Sequence, residues 1–147
     1  MATREELELK LEAIRAKRAA EKAATDDAIS LKMLENEITL DELVTANGEL
    51  GREIGAVFSP HTGDMVVVRK PSKAAYRASQ SHTTAVVAGQ GKQSFDQIQV
   101  QLVAGCLIHP TKPEFEAIQD KTPAMLGKAY NMCLKLAGAS LEDIEGK

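Results

Sequence analysis

The residues of this chain that could do chemistry are few and scattered. His61 and Asp64 flank a Pro- and Gly-containing turn and could share a proton. His82 and His109 stand far from them in sequence, and no histidine lies in a zinc-type spacing such as H-E-x-x-H or beside paired C-x-x-C. Cys106 and Cys133 fall in apolar helical patterns, where a thiol behaves as a small hydrophobe. A nucleophilic cysteine needs an adjacent base and an electropositive setting, and the context of Cys106 offers neither. Gly89-Gln90-Gly91-Lys92 resembles a phosphate loop only in composition, since neither the glycine spacing nor a preceding strand is there. It reads as a break between helices. One cluster has chemical character: Arg69, Lys70, Lys73 and Arg77 gather where a strand hands over to a helix capped by Ser72. A helix N-terminus with four cations beside it could hold an anion, with Tyr76 available for stacking. No catalytic residue, metal set or cofactor motif is assigned.

Composition agrees with a protein that binds and does not catalyse. The 147 residues suit one domain with an appendage, and a domain of this size buries roughly 70% of its extended-chain surface. Aromatics are only 3% and tryptophan is absent, so Ala, Leu, Ile, Val and Met must build the core. A formal charge of −3 gives no general attraction to phosphate backbones or anionic membranes, so nucleic acid is a disfavoured partner. No apolar run approaches the roughly 20 residues that cross a bilayer, and the charged N-terminus is unlike a secretory signal. A soluble protein of the cytoplasm is expected.

The elements that would position these residues are mostly helices. Thr3 with Glu6 makes a capping box, and Ala, Glu, Lys, Arg and Leu carry a long helix to about Ala24. Leu7, Leu11 and Ile14 form a narrow seam at coiled-coil spacing that fades at Arg18. Such a helix needs a partner or its own copy to lean on. After Thr25-Asp26-Asp27 a second pattern holds Ile29, Met33 and Leu34. Thr39 with Glu42 then predicts a separate short helix closing at Asn47-Gly48. Arg52 to Phe58 and Met65 to Arg69 read as a single hairpin.

Helix returns from Ser72 to about Val87, then from Ser94 (boxed with Gln97) to a stop at His109-Pro110. Thr111 with Glu114 starts a short helix bearing Phe115 and Ile118, and Thr122-Pro123 starts the last, which Gly138 ends. The fold class is mainly α with one β-hairpin (α+β), a long N-terminal helix preceding a compact helical domain. Residues 1–48 form a helical arm, 49–139 the hairpin and helical domain, and 140–147 an acidic, loose tail.

Two stretches carry a resemblance. Val66-Val67-Val68-Arg69-Lys70-Pro71-Ser72-Lys73-Ala74-Ala75-Tyr76-Arg77 runs from a strand through a Lys-Pro-Ser step into a helix with an early tyrosine. Further on come Gln101 to Pro110, Glu114-Phe115-Glu116-Ala117-Ile118, Thr122-Pro123 and a closing Leu134-Lys135-Leu136-Ala137-Gly138. Together, over roughly residues 52–139, these resemble the phage tail assembly chaperones. The resemblance implies a protein without catalytic residues or cofactor that binds and solubilises the elongated tape measure protein, or another tail protein, in the host cytoplasm. The long N-terminal helix departs from the family's pattern, which leaves open a structural component or adaptor that stays in the virion. On the chaperone reading, the expected partner contacts are the apolar faces holding Leu102, Cys106, Leu126, Met132 and Leu136, with the arm assisting and self-association as a further expectation.

Overall fold

Four consecutive residues, Met65, Val66, Val67 and Val68, are buried at 3%, 0%, 0% and 0% exposure, and the rest of the domain is arranged to cover them. The computed structural model describes residues 1–47, 53–90 and 93–138. Gly48, Arg52, Gly91-Lys92 and the acidic tail beyond Ser140, named above, lie outside the described residues. The elements run α1 (Arg4–Asn47), β1 (Ile54–Phe58), β2 (Met65–Arg69), α2 (Lys73–Val87), α3 (Phe95–Cys106), β3 (Leu107–His109), α4 (Lys112–Lys121) and α5 (Ala124–Leu136). The chain is thus mainly helical with one small antiparallel sheet, preceded by a long N-terminal helix.

The sheet order is β1-β2-β3. β1 and β2 form the expected hairpin, with Ile54 opposite Arg69 and Phe58 opposite Met65. The third strand is a departure from expectation. α3 stops at Cys106 and not at His109-Pro110, because Leu107 turns extended (φ −67°, ψ 124°). Val67 then pairs with His109 and Val68 with Leu107, across a register irregularity. The physical reason is that β2 is buried on its faces, and an unpaired edge there would strand backbone donors and acceptors.

α5 lies across β1 and β2, α3 packs on α5, and α2 on α3. The core joins Val66 and Val68 to Leu102, Val103, Phe115, Met125, Ala129 and Cys133. Gly55 sits opposite Val68 beneath α5, and a Cβ there would overlap the Met132 side chain. Its bare backbone lets the helix settle onto the sheet.

Several helix starts follow the sequence. Ser72 accepts from the Ala75 N–H at 3.1 Å. Ser94 and Gln97 form the full reciprocal box at 3.2 and 2.9 Å. Thr3 accepts from the Glu6 N–H at 3.2 Å. Two others differ. Thr111 occupies the cap position of α4 without a side-chain bond. Thr122 closes α4 through its N–H to Ile118 (2.7 Å), so Pro123, not Thr122, stands at the cap of α5.

The largest correction concerns α1, a single helix of 44 residues, ~66 Å long, where two helices were expected. Arg4 to Asn47 contains neither Gly nor Pro. Cap-type side chains alone do not end a helix whose neighbours favour it, because each interior residue keeps its backbone bond. Thr25 instead turns its hydroxyl back to the Glu21 carbonyl at 2.9 Å, and Thr39 lies in the helix interior.

Candidate protein-binding surface

α1 meets the rest of the molecule at the hairpin turn. The turn, residues 59–64, is closed by the Ser59 N–H donating to Asp64 O (2.9 Å) and the Gly63 N–H donating to Ser59 O (2.8 Å). Gly63 takes φ +75°, the left-handed region that glycine occupies without penalty. A Cβ at Gly63 would come within 3.5 Å of Ile29 and Lys32, so the turn also lies tight against α1. Asn36, buried, donates from Nδ2 to Gly63 O at 2.6 Å. Lys32 Nζ pairs with Asp64, whose other oxygen accepts from Thr62 Oγ1 at 2.7 Å. Burial pushes the Asp64 carboxyl up, but the bonds from Lys32 and Thr62 and the charges of Lys32 and Lys121 outweigh it and hold it below its ordinary value.

This arrangement decides the fate of the proton-sharing pair considered for the turn: Asp64 is engaged by Lys32 and Thr62, and His61 is exposed. Beside the junction a cleft of about 270 Å³ is lined by Lys32, Asn36, Asp64, His109, Glu114 and Lys121 among others. Its best-placed carboxylate is already neutralised, so the polar groups there fasten α1 to the head. His82 borders a hollow between α2 and α3 with Ser79, Ile98 and Leu102. Among the described residues no three His, Cys, Asp or Glu side chains gather to hold a metal, and no helix is long and apolar enough to cross a membrane.

The cationic cluster is partly committed to the fold. Arg69 Nη2 donates to Gly105 O at 3.2 Å, and Lys70 Nζ lies 4.0 Å from the Glu53 carboxylate. Lys73 and Arg77 are exposed on α2, but the Ser72 cap already serves the Ala75 N–H.

The structure places the expected partner contacts in or against the core. Leu102 is 4% exposed, Cys106 2% and Leu126 9%, and Met132 and Leu136 are half-buried against the same core. Their helical stripes face inward, that of α5 against the sheet and that of α3 mainly against α5. An apolar stripe that contacts a partner and one that contacts a sheet have the same spacing, so sequence could not separate them. Cys106 and Cys133 are both buried as expected. Hydrogen bonding to Cys106 and then burial push the Cys133 thiol up.

Large apolar side chains are exposed on α1 instead. Leu31, Met33, Leu34 and Ile38 are 60%, 49%, 59% and 61% exposed. Met33 and Leu34, with Ser30, Glu37 and the half-open ring of Phe58 at the end of β1, line a predominantly apolar groove of about 530 Å³. Lys128 Nζ donates to the Phe58 carbonyl at 3.2 Å, fixing the groove's far wall to α5. Toward the N-terminus, Leu7, Leu11 and Ile14 form the seam read from the sequence, 55%, 44% and 46% exposed. The sequence signal for the groove was the surplus of Leu, Ile and Met between residues 29 and 44, too many for one face of a helix. No known family model, curated protein or solved structure matches this chain.

Proposed function

We propose that this chain is an assembly protein that acts by binding another protein, and that it serves a phage tail as a chaperone for the elongated tape measure protein. The observation that carries the proposal is the apolar groove formed by Met33, Leu34 and Phe58 on a helix whose first 25 residues are exposed. Apolar area left in water on a helix and a strand end is stabilised by covering it, at about 25 cal/mol per Å². A helical client laid along α1 would cover it with Leu and Met side chains that repack easily. Many copies along an extended client would add weak contacts into firm retention. The resemblance of residues 52–139 to tail assembly chaperones supplies the identity of the client.

The test is co-expression with the tape measure protein of the same phage. The wild-type chain should keep that protein soluble, and Leu34→Asp with Phe58→Asp should not, with unchanged circular dichroism because both side chains face water. Retained client solubility in that variant would sink the groove assignment. The 44-residue arm favours a second reading, a structural component anchored in the virion. Mass spectrometry separates the two: a chaperone is abundant in infected-cell lysate and missing from mature particles, whereas a component is present in both.

A further inference from the structure

The seam of Leu7, Leu11 and Ile14 has a fixed orientation relative to the head. Leu11 lies eighteen residues, about five full turns, before Ile29, so the two share a face of α1. That face is the one that carries the head, because Ile29, Lys32 and Asn36 meet the hairpin turn. A second helix lying on the seam therefore approaches from the side on which the head already stands.

This excludes one way of pairing and admits another. In a parallel, in-register pair, the second copy would bring its own head to the same level of the same face, where the first head sits. In an antiparallel pair, with Leu11 against Ile14 of the second copy, Leu7 faces Arg18. Met1 of the second copy then falls opposite Ala24, five residues or ~7 Å short of Ile29, and the head is cleared.

Charge selects the same orientation. Residues 4–12 hold Glu5, Glu6, Glu8 and Glu12 against Arg4 and Lys10, and are net acidic. Residues 15–22 hold Arg15, Lys17, Arg18 and Lys22 against Glu21, and are net basic. Parallel pairing sets acid on acid and base on base. Antiparallel pairing sets the acidic stretch of each copy on the basic stretch of the other. Arg18 then lays its stem over Leu7 and directs its guanidinium toward the flanking glutamates.

We infer that α1 pairs antiparallel with α1 of a second copy over about residues 4–21, giving a two-fold dimer with its heads at opposite ends. The contact is isologous, so it closes at two copies. It uses a different face from the groove at Met33, Leu34 and Phe58, so it stands whether or not the client reading does.

The test uses the full chain. Sedimentation equilibrium should give twice the chain mass at high concentration and dissociation on dilution. Leu11→Glu with Ile14→Glu should give the single-chain mass throughout while the head's thermal transition is unchanged. Orientation is read by disulfide trapping with Leu7→Cys and Arg18→Cys proteins. The oxidised mixture should yield the mixed cross-linked dimer, and each protein alone should yield little. Self-cross-linking of Leu7→Cys would mean parallel pairing and overturn the inference. So would a wild-type monomer at every concentration, which would leave the seam to a foreign helix, or a dimer that survives Leu11→Glu with Ile14→Glu.

Discussion

Asn36 Nδ2 donates to the carbonyl oxygen of Gly63 at 2.6 Å, tying the arm to the turn through one buried bond. The Asn36 side chain is the sole buried residue of α1 among those described. Asn36→Ala should therefore weaken docking, by about 1–2 kcal/mol for a lost bond at a buried carbonyl. Hydrogen exchange at the amides of residues 29–40 should quicken, while protection of β2 and α5 stays as in the wild type. Unchanged exchange in α1 would show that apolar contact at Ile29 holds the arm instead.

The Lys32–Asp64 pair makes the same junction sensitive to acid. The Asp64 carboxyl is held below its ordinary value, so its contribution is complete above the unfolded value and is lost as pH falls through the lower folded one. Docking of α1 should loosen below about pH 4, earlier than the head unfolds. In Asp64→Asn, docking should be weaker at neutral pH and lack that acid-dependent part. A fluorophore pair placed on exposed sites of α1 and α4 would follow it.

The caps give a paired comparison. Ser94→Ala removes a hydroxyl that accepts from Gln97 and breaks a complete box, and should cost about 1 kcal/mol in urea unfolding. Thr111→Ala removes a hydroxyl without a cap bond and should cost only a few tenths of that unit. Equal losses at the two sites would mean that side-chain capping does not govern these helix starts.

Both thiols should resist aromatic disulfide reagents until the head opens. Cys106 and Cys133 are both buried. The Cys133 thiol is also pushed up by its hydrogen bond with Cys106 and by burial. That bond and the charge of Arg69 lower the Cys106 thiol, so its resistance rests on burial alone. Labelling in native buffer should be slow, and complete once denaturant unfolds the domain. Rapid stoichiometric labelling of the native protein would contradict the packing of α3 on α5.

What could be read from the sequence was what is decided locally. Ser72 and Ser94 bond to backbone groups within three residues, so their identity was enough to place α2 and α3. The hairpin was visible for the same reason, through Val66, Val67, Val68 and a turn rich in Pro and Gly. β3 was not visible, because Leu107 to His109 are extended only by virtue of pairing with Val67 and Val68, forty residues away. Thr25, Asp26 and Thr39 suggested ends that the unbroken backbone ladder of α1 overrides. Leu102 and Leu126 had the character of a contact surface and are buried in the core, since apolar periodicity does not say which neighbour it meets. The exposed Met33, Leu34 and Phe58 come together only when α1 is laid against the hairpin.

The attachment of α1 from Ile29 onward, with the residues before it exposed, has a mechanical consequence. The stretch from Arg4 to the contact at Ile29 is a rigid rod of ~37 Å with its pivot at the turn. A tilt of ~10° at the pivot swings the far end by ~6 Å while Asn36 hardly moves. A proton gained by Asp64 acts at that pivot, through its pairing with Lys32. A small change of angle there is read out, enlarged, at Arg4.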